Sequence, residues 1–194
     1  QRVMRELAQR FPEDTRFLAD AGNAWSWSIQ YLMQRTLGNH RFSLSYGAMG
    51  WAIGAAVGTS FSHVEDEKPT PVVCITGDGS FLMSGQEITV ALQHQLPTIF
   101  VILNDSNLGM IKHGQRLAGA ERIGHELPPV DFAMMAKAMG ANGHTIKTPE
   151  DFAKLDIAAI CRDNKPTLLD IHVDPEEVPP IGSRIKSLNA HNPD

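Results

Sequence analysis

The chain has 194 residues, 42% hydrophobic and 20% charged, an ordinary globular balance and enough for one sizeable domain. Its net charge is −5 with both signs interspersed, so no basic patch argues for nucleic acid, and no apolar run approaches membrane-spanning length. Two cysteines, Cys74 and Cys161, fit neither a disulfide framework nor a zinc site and suit a reducing, cytoplasmic setting; no signal peptide stands out, and a start at Gln1 rather than Met leaves an upstream part to be expected.

Arg2 to Arg10 has the spacing of a short amphipathic helix, and Arg16 to Asp20 reads as the first strand. The loop Ala21-Gly22-Asn23 follows, then a helix over Ala24 to Leu37 carrying Trp25, Trp27, Ile29 and Tyr31. Gly22-Asn23-Ala24 sits where a helix N-terminus can meet an anion, but Asn is also a favoured capping residue, and the residues alone leave both readings open. Arg41 to Leu44 reads as a short strand. Ser45 to Gly50 then opens a small-residue helix, WAIGAAVGTSF. Glycines 47, 50, 54 and 58 each disfavour helix by about 1 kcal/mol relative to Ala, a cost that close packing against a neighbour would offset. His63 to Thr70 is a charged surface loop.

The chain is organised around Pro71 to Gln115. PVVCIT is β-branched and apolar without alternation, as a strand buried on both faces should be. Gly77-Asp78-Gly79-Ser80 breaks it, a helix is predicted from Ser84 to His94, and Pro97 precedes a second buried strand, TIFVIL, that ends in Asn104-Asp105-Ser106-Asn107. Strand, crossover helix and strand make a right-handed βαβ unit, so both loops lie at one carboxyl edge, where open α/β sheets bind ligands. Asp78 and Asp105 offer carboxylates there, and Asn107 an amide or carbonyl oxygen, a hard donor set suited to Mg²⁺ shared with phosphate oxygens. Gly77 and Gly79 let a phosphate approach the backbone, and Ser80 adds a hydroxyl and an amide.

Further on, Lys112 to Pro129 reads as a mobile loop, Phe132 to Met139 as a helix, Gly143 to Lys147 as a strand, and Pro149 to Cys161 as a helix capped by Thr148 with Pro149 at its first position. Thr167 to Val173 is the last central strand, and an irregular Pro-rich tail runs over 175–194. The strand–helix alternation predicts an α/β fold: a mostly parallel sheet with helices on both faces, undivided by linker or repeat.

Gly77-Asp78-Gly79-Ser80, followed 27 positions after Asp78 by Asp105 in LNDSNLGMI, resembles the signature of thiamine-diphosphate enzymes, Gly-Asp-Gly, a spacer and Asn-Asn. It is most similar to acetolactate-synthase-like members, and the similarity covers essentially the whole chain as a single diphosphate- and Mg-binding domain over 1–194, the C-terminal domain of such enzymes. The family's second Asn, a metal ligand, is Asp105 here, which adds a negative charge near the diphosphate.

The resemblance implies thiamine diphosphate and Mg²⁺ as cofactors, with metal ligands Asp78, Asp105 and Asn107. It implies that Gly22-Asn23-Ala24 touches the terminal phosphate. In Gly47-Ala48-Met49, the Gly47 carbonyl and Met49 amide would bond the aminopyrimidine ring, and the Met49 side chain would wedge the two rings apart. It places Gly109-Met110-Ile111-Lys112-His113-Gly114 on the reactive side of the cofactor, with Ile111 speaking against the pyruvate-decarboxylase-like subgroup and Gly114 leaving a roomy pocket. The implied activity is decarboxylation and carboligation of 2-oxo acids through a thiazolium ylid. The glutamate that activates the pyrimidine belongs to a pyrimidine-binding domain of the same or another subunit, absent from this chain; FAD is possible on a domain outside it, and a homo-oligomer is implied. Glu87, near a helix start, reads as structural, and His113 as a solvated side chain on a mobile loop. Two alternatives stand beside this reading: another thiamine-diphosphate lyase such as a 2-oxo-acid decarboxylase, and a non-catalytic cofactor-binding module.

Overall fold

The computed structural model describes residues 1–33, 36–43, 45–62 and 70–182. The charged loop 63–69, Leu44 of the short strand, and the end of the tail therefore lie outside the described residues.

Six strands form one sheet in which every pairing is parallel: β1 (Arg16–Ala19), β2 (His40–Phe42), β3 (Val72–Gly77), β4 (Thr98–Asn104), β5 (Asn142–Ile146) and β6 (Thr167–His172), in spatial order β2-β1-β3-β4-β6-β5. The central β3 and β4 pair from Val72 opposite Thr98 to Gly77 opposite Leu103. All seven residues of β4 are buried, which explains the unbroken apolar run from Ile99 to Leu103. Helices cover both faces. On one, α1 (Arg2–Arg10), α2 (Asn23–Tyr31), α8 (Pro149–Ala153) and α9 (Ile157–Arg162) close over Phe17, Val73, Ile75, Ile99, Val101 and Leu169. On the other, α3 (Trp51–Phe61), α4 (Asp78–Ser84), α5 (Ile88–Gln93) and α7 (Phe132–Ala138) close over Cys74, Phe100, Ile102 and Leu168. Phe81 of α4 meets Phe100 and Phe132 edge-on. Cys74 and Cys161 are both free thiols.

Five elements differ from the expectation. The helix after β3 begins at Asp78 rather than Ser84, with no intervening break. Gly77 serves as an extended N-cap, and an acidic residue in the first turn suits the helix N-terminus. That helix is then interrupted by a 3₁₀ turn, Gly85–Glu87, where the Phe81 ring fills the space a side chain on Gly85 would need. The second helix stops at Tyr31, well before Leu37, because Leu32 is extended. The first part of the supposed mobile loop, Lys112 to Leu117, belongs to a helix, α6 (Gly109–Leu117), in which Met, Lys, Gln, Arg and Leu outweigh Gly109 and Gly114. The helix over Pro149 to Cys161 is split, because Asp156 caps a new start by accepting from the Ala159 amide (2.9 Å), while Thr148 and Asp151 form a capping box on the first half. Glycines 54 and 58 do not pack closely either. A side chain there would meet nothing, because Ala52, Ile53, Ala56 and Val57 supply the inner face of α3 and the glycines face outward beside the exposed Trp51 and Phe61.

Candidate functional site

The order β2-β1-β3-β4 reverses the direction of strand progression between β1 and β3. Connections leaving these two neighbours diverge, which opens a crevice at their carboxyl ends. A cavity of about 620 Å³ occupies that place. Fourteen of the fifteen residues expected to hold a cofactor line it: Gly22, Asn23 and Ala24 after β1; Gly47 and Met49 before α3; Gly77, Asp78, Gly79 and Ser80 after β3; Asp105 and Asn107 after β4; and Gly109, Met110 and Ile111 at the start of α6. Ala48 alone is not among the lining residues.

The two acidic loops are built differently. Asp78 is 3% exposed. Its Oδ1 accepts from the Gly79 amide (2.7 Å), and its Oδ2 is buried with no partner. Burial lifts its carboxyl above the ordinary range, opposed by the amides of Gly79 and of residues 105–107. The Asp105 loop is tied by its own side chains. Asp105 Oδ1 accepts from the Asn107 amide (3.0 Å), and Asn107 Nδ2 donates to the Asp105 carbonyl (2.6 Å). Burial first, then the neighbouring Asp78 charge, push the Asp105 carboxyl up to about 7. Two neighbouring carboxyls whose proton affinities are both raised by burial, and one of them also by the other's charge, need a cation to be held ionised together. Among the described residues, no three His, Cys, Asp or Glu side chains converge into an all-protein cage.

Asn23 does not cap α2. Gly22, at φ +81°, holds the cap position, and no side-chain cap bond is made. The Asn23 amide instead lies against Gly109 together with Asp105 Oδ2, and its Oδ1 is buried without a partner. A side chain on Gly109 would run into Asn23 and Asp105, so glycine is required by that close approach. Trp25, also lining the cavity, has a buried Nε1 with no partner. Three orphaned polar atoms around one cavity, on Asn23, Trp25 and Asp78, fit a polar ligand with both acceptors and donors.

The segment 109–114 faces the cavity only through its first three residues, because it is helical. Lys112 is buried and ion-paired with Glu176 (2.7 Å). His113 is not solvated: it is fully buried on α6, without a partner for either ring nitrogen, and burial followed by the Lys112 and Arg116 charges lowers its pKa. Neither His113 nor Gly114 lines the cavity. Glu87 is exposed at the end of the 3₁₀ turn, in keeping with a structural role.

Two residues of the site were not anticipated. His125 donates through Nδ1 to Asn107 Oδ1 (2.9 Å), and its carbonyl accepts from the Leu108 amide (2.6 Å). The Leu127 amide bonds Ser106, so 125–127 straps the β4 loop through an antiparallel bridge. Nothing local in the sequence marks His125. Asp20 was passed over as the end of a strand, yet it is a fully buried carboxylate with three donors, and an acid directly after the apolar Phe17-Leu18-Ala19 run is the signal that could have found it.

Residues 20–171 match the family described as thiamine pyrophosphate enzyme, C-terminal TPP binding domain. This chain belongs to that family. It is 32% identical over 193 residues to the acetolactate synthase isozyme 2 large subunit of Escherichia coli (strain K12), which takes in 96% of the chain and 34% of that protein. It is 36% identical over 148 residues, 74% of the chain, to the acetolactate synthase large subunit of Haemophilus influenzae, covering 25% of that protein. The fold matches the crystal structure of benzoylformate decarboxylase from Polynucleobacter necessarius with a TM-score of 0.82 at 22% identity, over 91% of this chain and 33% of that one. The chain thus spans between a quarter and about a third of the length of these relatives. Its relatives are thiamine-pyrophosphate enzymes, so this is the acetolactate-synthase-like form of the cofactor-binding domain. No helix among the described residues is long and apolar enough to cross a membrane.

Proposed function

We propose that this domain holds thiamine diphosphate and Mg²⁺ in an acetolactate-synthase-like enzyme that decarboxylates and ligates 2-oxo acids. The observation that carries the reading is the meeting of Asp78, with an unpartnered buried oxygen, and Asp105, with a carboxyl pushed up to about 7, in one cavity between the β1 and β3 loops. Asp78 and Asp105 would hold the metal with the main-chain carbonyl of Asn107, whose amide oxygen is already engaged by His125. The amides and hydroxyl of Gly77–Ser80 and the side chain of Asn23 would take the diphosphate, and Gly47, Met49, Met110 and Ile111 the rings. When bound, thiamine diphosphate supplies an electron sink for a carbanion formed beside a carbonyl.

This chain's own residues bind and orient, and neither Glu87 nor His113 is placed in the cavity for proton transfer. Glu87 is exposed away from the cavity, and His113 is buried elsewhere on α6. A positioned acid or base is worth about 10²–10⁴-fold in rate. We therefore assign the pyrimidine-activating glutamate to another domain or subunit, and expect the isolated chain to bind the cofactor weakly and to turn over no 2-oxo acid. The exposed apolar residues beside the cavity, Tyr46, Met49 and Trp51, fit a surface covered in an oligomer.

Trp25 and Trp27 line the cavity and supply the readout. Thiamine diphosphate added to the full-length protein with Mg²⁺ should quench tryptophan fluorescence saturably, and a chelator should abolish the effect. A fluorescence signal that ignores both cofactor and metal would sink the reading. A screen of 2-oxo acids on the loaded protein then identifies the substrate.

A further inference from the structure

Asp20 lies at the end of β1, fully buried and outside the cavity lining. Its Oδ2 accepts from the Gly50 amide (2.8 Å) and from the Thr76 hydroxyl (2.9 Å), and its Oδ1 from the Ala52 amide (3.4 Å). No Lys, Arg or His pairs with it among the described residues, so its carboxyl oxygens are held by two amides at the start of α3 and one hydroxyl. The three partners lie on two segments, each of which leads directly into or out of a wall of the cavity. Thr76 immediately precedes Gly77-Asp78-Gly79-Ser80. Gly50 immediately follows Gly47-Ala48-Met49 and is itself left-handed, at φ +90°, with the Ser84 side chain filling the place a Cβ would take. Met49 reaches across so that its methyl lies 3.3 Å from where a side chain on Gly79 would begin.

We propose that Asp20 is a positioning residue: it fixes the loop expected to hold the aminopyrimidine ring at a set distance from the loop expected to hold the diphosphate. The proposal rests on the reading of the cavity as a thiamine-diphosphate site. A buried acceptor bridging two donors on separate segments transmits the position of one to the other, and removing it leaves Gly50 and Thr76 free to shift independently. The consequence is selective. By the same reading, Mg-pyrophosphate would meet Asn23 and the loops after β3 and β4, whereas thiamine diphosphate would also have to meet the 47–49 loop.

The test compares these two ligands on the full-length protein by calorimetric titration. For Asp20→Asn, thiamine diphosphate should bind at least about tenfold more weakly while Mg-pyrophosphate stays within about twofold of wild type. Thr76→Val and Thr76→Ser provide a second arm that does not depend on Asp20→Asn keeping the fold. The valine should weaken thiamine diphosphate about threefold with Mg-pyrophosphate unaffected, and the serine, which keeps the hydroxyl, should restore it. Equal losses for both ligands, or no loss for either in the variants that fold, overturn the assignment. Wild-type protein that binds neither ligand overturns the reading of the cavity itself, and with it this inference.

Discussion

The loops after β3 and β4 stand side by side at one sheet edge and each presents an aspartate, yet they are made in opposite ways. The β3 loop runs straight into α4 and leaves Asp78 Oδ2 without a partner. The β4 loop is closed by its own side-chain bonds and strapped by His125–Leu127. The first is a helix start with one unused acceptor; the second is a pinned scaffold whose carboxylate is made costly by its neighbour. A cation between them would satisfy the first and relieve the second, and it is this complementarity, rather than either aspartate alone, that makes the place a site.

The largest way to break the comparison is Asp78→Ala. It should remove metal-dependent binding of thiamine diphosphate by the full-length protein, a loss of about 100-fold or more; unchanged affinity in a titration would mean that the free oxygen has no role. Next comes Asp105→Asn, which removes the like charge but keeps the shape. Both aspartates have folded-state pKa values above their ordinary ones, so without metal the fold prefers them protonated. Their penalty is absent below about pH 4 and grows as pH rises through the interval from there to about 7. Metal-free Asp105→Asn should therefore melt several degrees above wild type at pH 8, with the gap closing toward pH 4, and Mg²⁺ should shrink the gap at pH 8. A gap that widens toward acid would refute the pairing.

Smaller effects probe the pin and the contact between the loops. His125→Ala should weaken Mg²⁺ binding about tenfold with little change in melting temperature; a large melting shift with intact metal affinity would make the strap merely structural. Gly79→Ala should cost about 1 kcal/mol of stability, because its methyl would meet Leu108 (2.7 Å) and Met49 (3.3 Å), while Gly77→Ala, with open space around it, should be close to neutral in a denaturant titration.

Most of the sheet, and most of the residues that line the cavity, were legible in the sequence. Unbroken apolar runs bounded by Gly, Asp and Asn identify doubly buried strands and their carboxyl-end loops, and parallel connection then forces those loops onto one edge. The local limits of helices were less legible. Asp78 could be read as a break or as a first helical residue, and Asp156 as an interior position or a second cap, because short polar side chains serve either role and only the surrounding backbone chooses. Tertiary structure alone decided the rest. It buried His113, joined His125 to Asn107 across 18 residues, and brought Asp20 to Gly50 and Thr76 across 30 and 56. Those bonds depend on where distant segments are packed, and neither periodicity nor a motif carries that information.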